Sequence, residues 1–411
     1  MEEKIVSIPV RTALMPIFYK DFHCLAADCR DNCCGGWKIT FGKKDYLKIK
    51  RTATSGEMKE ILSSAMTRFR KHELGDENYA RFRMDNQDNC VFQTEEGLCR
   101  LQLECGAECL PEVCREYPRK SFYTSAAKEL SLSPTCEAVL ALLWELPQGI
   151  DFWEEDLPKQ DWATVSAPPR LVRFADIRSF CIDVMQERPL PLSRRMLLLG
   201  LVIRRLTELD WTEGGVVDAW LAWGMGQLHD PRTAPVLENM PRDRLAFLTH
   251  NLRAALELYE NAVPKAKGVY RSLFSALSAD RETWEEKGLE RFRMDTIRYQ
   301  KLERQLEGLL GHTDTFFENL MVSTAFYEIF PDPSGPEELW RSYAAMCGLY
   351  SIFWFAAVLG CQKEVSRERL FQVTVTVSRD LLHNKTKLER LTDAVLENDG
   401  TMDKISVLLG G

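Results

Sequence analysis

Ten of the thirteen cysteines in this 411-residue chain fall between Cys24 and Cys136, and Cys181, Cys347 and Cys361 are scattered through the rest. Thiols crowded into one segment serve metal binding, redox chemistry or disulfides rather than packing, so the first third must fold by bringing loops together around sulfur. A chain of this length can bury a large core without disulfide staples. The opening MEEKIVSIPV holds two acids and no long apolar stretch, so it does not read as an export signal, and the expected compartment is the reducing cytoplasm. In that setting clustered cysteines point to metal or redox work.

Charge narrows the partners. Residues 1–150 carry 21 Lys and Arg against 22 Asp and Glu, and residues 151–411 carry 32 against 39. Neither part is basic, so no nucleic-acid partner is expected. One stretch, Ser342–Gln362, holds no charge and is long enough to span a bilayer. Ser342, Tyr343, Ser351 and two glycines dilute it and no second span exists, so a buried central helix is expected and no membrane partner.

The fold class expected is mostly α: a cysteine-rich α+β metal-binding N-terminal domain over residues 1–150, followed by an all-α helical domain over 170–411. Residues 1–40 read as loop. Apolar spacing predicts helices over Lys43–Arg51 and Glu57–His72, a strand over Tyr79–Met84, a hairpin from Ser121–Thr124 and Glu129–Leu132, and a helix over Thr135–Glu145. Residues 146–169 mix prolines with acids and tryptophans and read as a domain boundary. Beyond them, helices are predicted over 170–187, 192–209, 215–228, 242–262, 282–310, 313–329, 337–361, 364–382 and 385–397. The pentapeptide Arg-Phe-Arg-Met-Asp recurs at 81–85 and 291–295 in unlike contexts and is read as coincidence.

The first thiol group is Cys24, Cys29 and the adjacent pair Cys33-Cys34, followed by Gly35-Gly36-Trp37; the second runs Cys90, Cys99, Cys105, Cys109, Cys114, with Cys136 further on. Short loops between thiols let several sulfurs converge on one ion with little chain entropy to lose. The two glycines suit tight turns. Zinc prefers paired two-residue knuckles, which are absent here, whereas iron–sulfur clusters tolerate varied spacing. An iron–sulfur cluster is therefore favoured, with zinc next and a disulfide framework third. Buried, inert thiols are the plain alternative.

The runs Cys24-x4-Cys29-x3-Cys33-Cys34-Gly-Gly-Trp37, Cys90-Val-Phe, Gly97-Leu98-Cys99-Arg100, Leu110-Pro111-x-x-Cys114-Arg115-x-Tyr117-Pro118-Arg119 and Leu130-Ser131-x4-Cys136 resemble the flagellin lysine-N-methylase family. That family belongs to a wider cysteine-rich group of zinc- or iron-chelating domains. The resemblance covers about Pro16 to Trp144; the helical remainder offers no motif. It singles out Cys24, Cys29, Cys33, Cys34, Cys90, Cys99, Cys114 and Cys136 as metal ligands, and sets Cys105 and Cys109 aside. It implies methyl transfer from S-adenosylmethionine to lysine amines of flagellin, beside a [4Fe–4S] cluster or zinc centre of structural role.

That chemistry needs a neutral amine lined up behind a sulfonium methyl, and aromatic walls for cationic groups. Trp37 and Tyr117 are the candidate cage and proton-handling residues, and Arg119 is a candidate grip for a carboxylate. Core packing or a surface ion pair is the plain alternative for each. No Gly-x-Gly-x-x-Gly cradle appears, no three-then-two cysteine triplet of radical chemistry, and no Gly-x-Ser-x-Gly elbow. The six histidines form no metal-spaced pair. Two further classes compete with the enzyme: a non-catalytic cysteine-rich iron- or zinc-binding protein, and a membrane-associated factor anchored by Ser342–Gln362.

Overall fold

Strands open the chain where loop is expected: β1 (Val6–Val10) and β2 (Thr12–Pro16). A small unit follows, of β3 (Thr40–Phe41), α1 (Lys43–Thr52), α2 (Gly56–Ala65), β4 (Met66–Arg68) and β5 (Ala80–Phe82), then the short helices α3 (Arg100–Cys105) and α4 (Glu112–Glu116). The hairpin β6 (Arg119–Tyr123) and β7 (Lys128–Leu132) leads into α5 (Glu137–Trp144), β8 (Phe152–Asp156) and β9 (Ala163–Ala167). The computed structural model describes residues 6–52, 56–69, 78–167, 173–188, 190–210, 214–277, 288–311 and 313–410.

Two expectations are corrected by these strands. The proline-rich stretch 146–169 is not a plain break: β8 pairs antiparallel with β2, and β9 pairs antiparallel with β1. The sheets run β6–β7–β2–β8, β1–β9 and β3–β5–β4, with β2 parallel to β7. A strand whose partner lies more than a hundred residues away carries no local turn signal, so period alone does not find it. The helix expected over 57–72 ends at Ala65, and Met66–Arg68 turns into a strand pairing with β5; residues 70–72 lie outside the described residues.

The helical part comprises α6 (Phe174–Gln186), α7 (Leu192–Thr207), α8 (Gly214–His229), α9 (Thr233–Glu238), α10 (Arg244–Glu260), α11 (Pro264–Leu277), α12 (Gly288–Leu310), α13 (Thr313–Tyr327), α14 (Pro336–Gly360), α15 (Arg367–Leu382), α16 (Lys385–Leu396) and α17 (Met402–Leu409). Helices α9, α11 and α17 were not predicted. Side chains set several starts: Asp243, Ser366, Asn384 and Thr401 each accept from a backbone N–H in the first turn of α10, α15, α16 and α17. The uncharged run lies in α14, whose most apolar window is 89% buried. It packs against α7, α10, α11, α15, α16 and α17, so its apolarity is met by protein.

Two apolar clusters result. The larger runs from Phe18 to Leu409 and takes in Leu132, Val139, Leu140 and Leu143 from the sheet-bearing part. The smaller joins Ile39, Phe41, Ile49, Leu62, Phe82, Phe92 and Leu101, with Cys34, Cys90, Cys99 and Cys114 packed in or against it. Buried charge ties the larger body together: Glu318 on α13 accepts from Arg195 at 2.6 Å and from Arg188 at 2.7 Å. Close helix packing is visible where Gly200 of α7 meets the Tyr343 ring of α14; that hydroxyl donates to the Met196 carbonyl at 3.0 Å. A methyl at Gly200 would overlap the hydroxyl. Gly200→Ala is therefore expected to cost about 1–3 kcal/mol, despite alanine's better helix propensity, as read by urea unfolding.

Candidate functional site

The thiols are carried by loops and helix ends fastened to the small core. Gly36 has φ +84°, and its N–H donates to the Asp88 carbonyl at 3.0 Å. Gly35 lies so close to Asn89 that a Cβ would reach 2.8 Å from its Oδ1. These contacts press the Cys33-Cys34 loop against the Cys90 segment, where the Cys90 N–H donates to the Cys34 carbonyl at 2.6 Å. A turn with Gly97 at φ +80° presents Cys99 at the start of α3. Cys114 sits on α4 and Cys136 caps α5.

Electrostatics shows which thiols are neighbours. Cys33 is pulled below the usual thiol range by a hydrogen bond from Cys34, with the Arg379 charge adding to the effect. Cys34 is correspondingly raised. Burial raises Cys90 to about 11, and it raises Cys99 and, more strongly, Cys114; each of the three also feels the charge of Cys33. Cys136 rises to about 11 through burial and also feels Cys33. Cys29 rises to about 12 through burial, then Glu137 and Cys136. Cys33 is thus hydrogen-bonded to Cys34, and its charge reaches Cys90, Cys99, Cys114 and Cys136. Cys24 is exposed, its sulfur accepting from the Ala26 N–H at 3.4 Å. Cys105 and Cys109 neighbour each other, with the Cys109 thiol donating to the Cys105 carbonyl at 2.9 Å.

In kind, this donor set fits a soft metal: several thiols, mostly desolvated, around one whose proton is easily lost. In geometry, no three Cys, His, Asp or Glu side chains among the described residues stand ready to hold an ion.

Beside the thiols lies a group of rings. Trp37 packs on His383 with centroids 4.7 Å apart, and Tyr117 lies 6.0 Å from each. The Trp37 indole N–H donates to the Cys33 carbonyl at 2.8 Å, linking the rings to the thiol loop. Thr135 Oγ1 sits 3.0 Å from both the Tyr117 hydroxyl and His383 Nε2, and 2.7 Å from Ser133 Oγ. His383 Nδ1 is shielded from solvent and has no hydrogen-bond partner among the described residues. Burial, reinforced by Arg379, lowers His383 to about 4, so the imidazole is neutral near pH 7.

Arg379, one turn before His383 on α15, fixes the whole arrangement. Its guanidinium donates to the carbonyls of Asp31, Asn32 and Thr135 and pairs with the Asp31 carboxylate at 3.5 Å. Glu137 completes the clamp by accepting from the Arg30 N–H at 2.9 Å and the Asp31 N–H at 3.2 Å. Of the residues expected from sequence, the structure brings Trp37 and Tyr117 together. Arg119 lies elsewhere, exposed, with its guanidinium 4.8 Å over the Phe22 ring. Sequence reasoning missed Arg379, His383, Thr135, Asp31 and Glu137. The sequence offered only that the first two stand four apart, Arg379 in the last turn of α15 and His383 at its C-cap.

Comparison with known proteins gives the same helical part a family. The profile of the FliB lysine N-methylase C-terminal domain matches residues 178–408. The chain therefore belongs to the FliB lysine N-methylase family. Among its relatives are the lysine-N-methylases of Salmonella choleraesuis and Salmonella typhimurium, 28% and 27% identical over 180 residues. Each match covers 43% of this chain and 43% of the relative, so the chain matches less than half the length of either. A flagellar biosynthetic protein, FliU, of Salmonella muenchen is 28% identical over 148 residues, 35% of this chain and 83% of the relative. No solved structure matches.

Proposed function

We propose that this protein methylates lysine ε-amines of flagellin, with the amine received among Trp37, Tyr117 and His383. The observation that carries this reading is that ring group, assembled where the thiol loops meet the helices that define the family. Relatives named lysine-N-methylase and a flagellar biosynthetic protein support the reaction and the substrate. The two parts expected from the sequence, 1–150 and 170–411, enter it as a thiol-bearing part and a helical part that face each other there.

The hydrogen bonds around Thr135 can run in more than one direction, and this reading takes the imidazole tautomer that carries its proton on Nε2. Thr135 donates to Ser133 and accepts from the Tyr117 hydroxyl and from His383 Nε2–H. His383 Nδ1 is then a free acceptor. It can take a hydrogen bond from a neutral lysine amine and aim the amine's lone pair, while the Arg379 charge and the apolar rings disfavour the ammonium. Trp37 and Tyr117 offer π-faces to a methylated amine. Nδ1 is closed to solvent here, so side chains over it have to move to admit the substrate. S-adenosylmethionine, when bound, supplies the methyl as a sulfonium. Cys33, Cys90, Cys99 and Cys114 would hold a [4Fe–4S] cluster, or zinc, after rotating toward one another, with Cys34 hydrogen-bonding Cys33. That centre would fix the loop bearing Trp37.

Intact mass of flagellin lysines after incubation with metal-replete protein and S-adenosylmethionine tests the reading. Whole methyl increments are expected. His383→Ala should slow their appearance about tenfold, one hydrogen bond's worth, with metal content unchanged. No increment from folded, metal-replete protein would remove the reading.

A further inference from the structure

A second site stands away from the thiols, and the charge buried in it is unaccounted for. Arg194, in the first turn of α7, is 5% exposed, and its Nη1 is shielded from water without a hydrogen-bond partner among the described residues. A buried guanidinium lacking an anion costs several kcal/mol, so such groups are ordinarily paired. Here the strongest neighbouring charge, Arg242, has the same sign, and Glu238 offsets it only in part. Both arginines line a cavity of about 470 Å³, together with Pro191 and Ser193 of the α7 start. No side chain caps that helix end. Uncapped N–H groups and the helix dipole favour an anion in the same cavity, where the Arg194 guanidinium lies against Gly410 at the end of α17.

The opposite walls are aromatic. Phe247, Tyr350 and Trp354 line the cavity, and the last two rings stack with centroids 6.4 Å apart at 20°. Two acids, Glu303 and Glu307, also line the cavity; the Trp354 indole N–H donates to Glu303 at 2.9 Å and Arg244 pairs with the same carboxylate at 2.6 Å. The volume suits a small molecule.

We propose that this cavity binds a ring-bearing small molecule through a carboxylate or phosphate held by Arg194 and Arg242, with its ring against Tyr350 and Trp354. This inference does not depend on the methyl-transfer reading. Two sources carry the required chemistry: an adenosyl amino acid, through its carboxylate, and a nucleotide, through its phosphates.

Equilibrium binding to the full chain separates them, with S-adenosylhomocysteine and ADP as probes. Arg194→Met should weaken the ligand that binds by about tenfold or more, the loss expected for charge-assisted hydrogen bonds. Arg242 is exposed, so Arg242→Ala keeps the fold and should weaken the same ligand severalfold. Saturable binding of S-adenosylhomocysteine with these losses identifies the carboxylate; ADP with these losses identifies the phosphate. If neither probe binds, or if binding is equal in wild type and both variants, the inference is overturned. Methyl transfer by a sample that shows no binding here would overturn it while leaving the proposed reaction standing.

Discussion

Arg379→Met is expected to destabilise the protein by about 3–5 kcal/mol, the cost of removing one partner from a buried ion pair. Arg379 and Asp31 are 8% and 6% exposed, so the lost pair is not one that water can replace. The substitution also strips donors from three carbonyls, those of Asp31, Asn32 and Thr135. Methionine fills much of the arginine volume, so a cavity is not the source of the effect. Asp31 keeps Lys265 at 2.8 Å, and that partner is 40% exposed, which holds the loss below that of an isolated buried carboxylate. Urea unfolding followed by tryptophan fluorescence gives the number. A change under about 1 kcal/mol would mean that the clamp between α15 and the Cys29–Cys34 loop contributes little.

The same variant separates a clamp from a simple core contact. If Arg379 holds the thiol loop in place, its loss should also loosen the Trp37 ring, because the indole is fixed through the Cys33 carbonyl at 2.8 Å.

What the sequence made legible follows physical range. The thiol clusters, the turns at Gly36 and Gly97 and the β6–β7 hairpin are local features, and local composition announces them. Trp37 and Tyr117 were singled out in the sequence because they adjoin cysteines. His383 and Arg379 were not, because each meets its partners across more than 240 residues and no nearby residue marks the meeting. The same holds for β1 and β9, which pair Val6 with Ala167. Arg119 was singled out with them from the motif beside Tyr117; a strand begins there, and it lies exposed over the Phe22 ring. The family signal was also displaced. The motifs read from the sequence end near Trp144, whereas the family profile matches from residue 178 onward, where periodicity says only that the chain is helical.

Cys33→Ser is expected to have the largest effect on composition. Cys33 is the thiol hydrogen-bonded to Cys34 whose charge reaches Cys90, Cys99, Cys114 and Cys136, and it is the one held toward the thiolate by Cys34 and Arg379. A serine there removes the soft donor that the others would join and replaces it with a hydroxyl that stays protonated. Cys24→Ser, by contrast, should leave metal content unchanged, because that thiol is exposed to solvent.

Iron, zinc and acid-labile sulfide per chain, measured on anaerobically purified wild type and Cys33→Ser side by side, test the convergence of these sulfurs most directly. Wild type should carry about four irons and about four sulfides, or about one zinc without sulfide, and Cys33→Ser should carry none of either. Folded wild type free of iron and zinc, or a serine variant with its full complement, would contradict a metal centre built around Cys33.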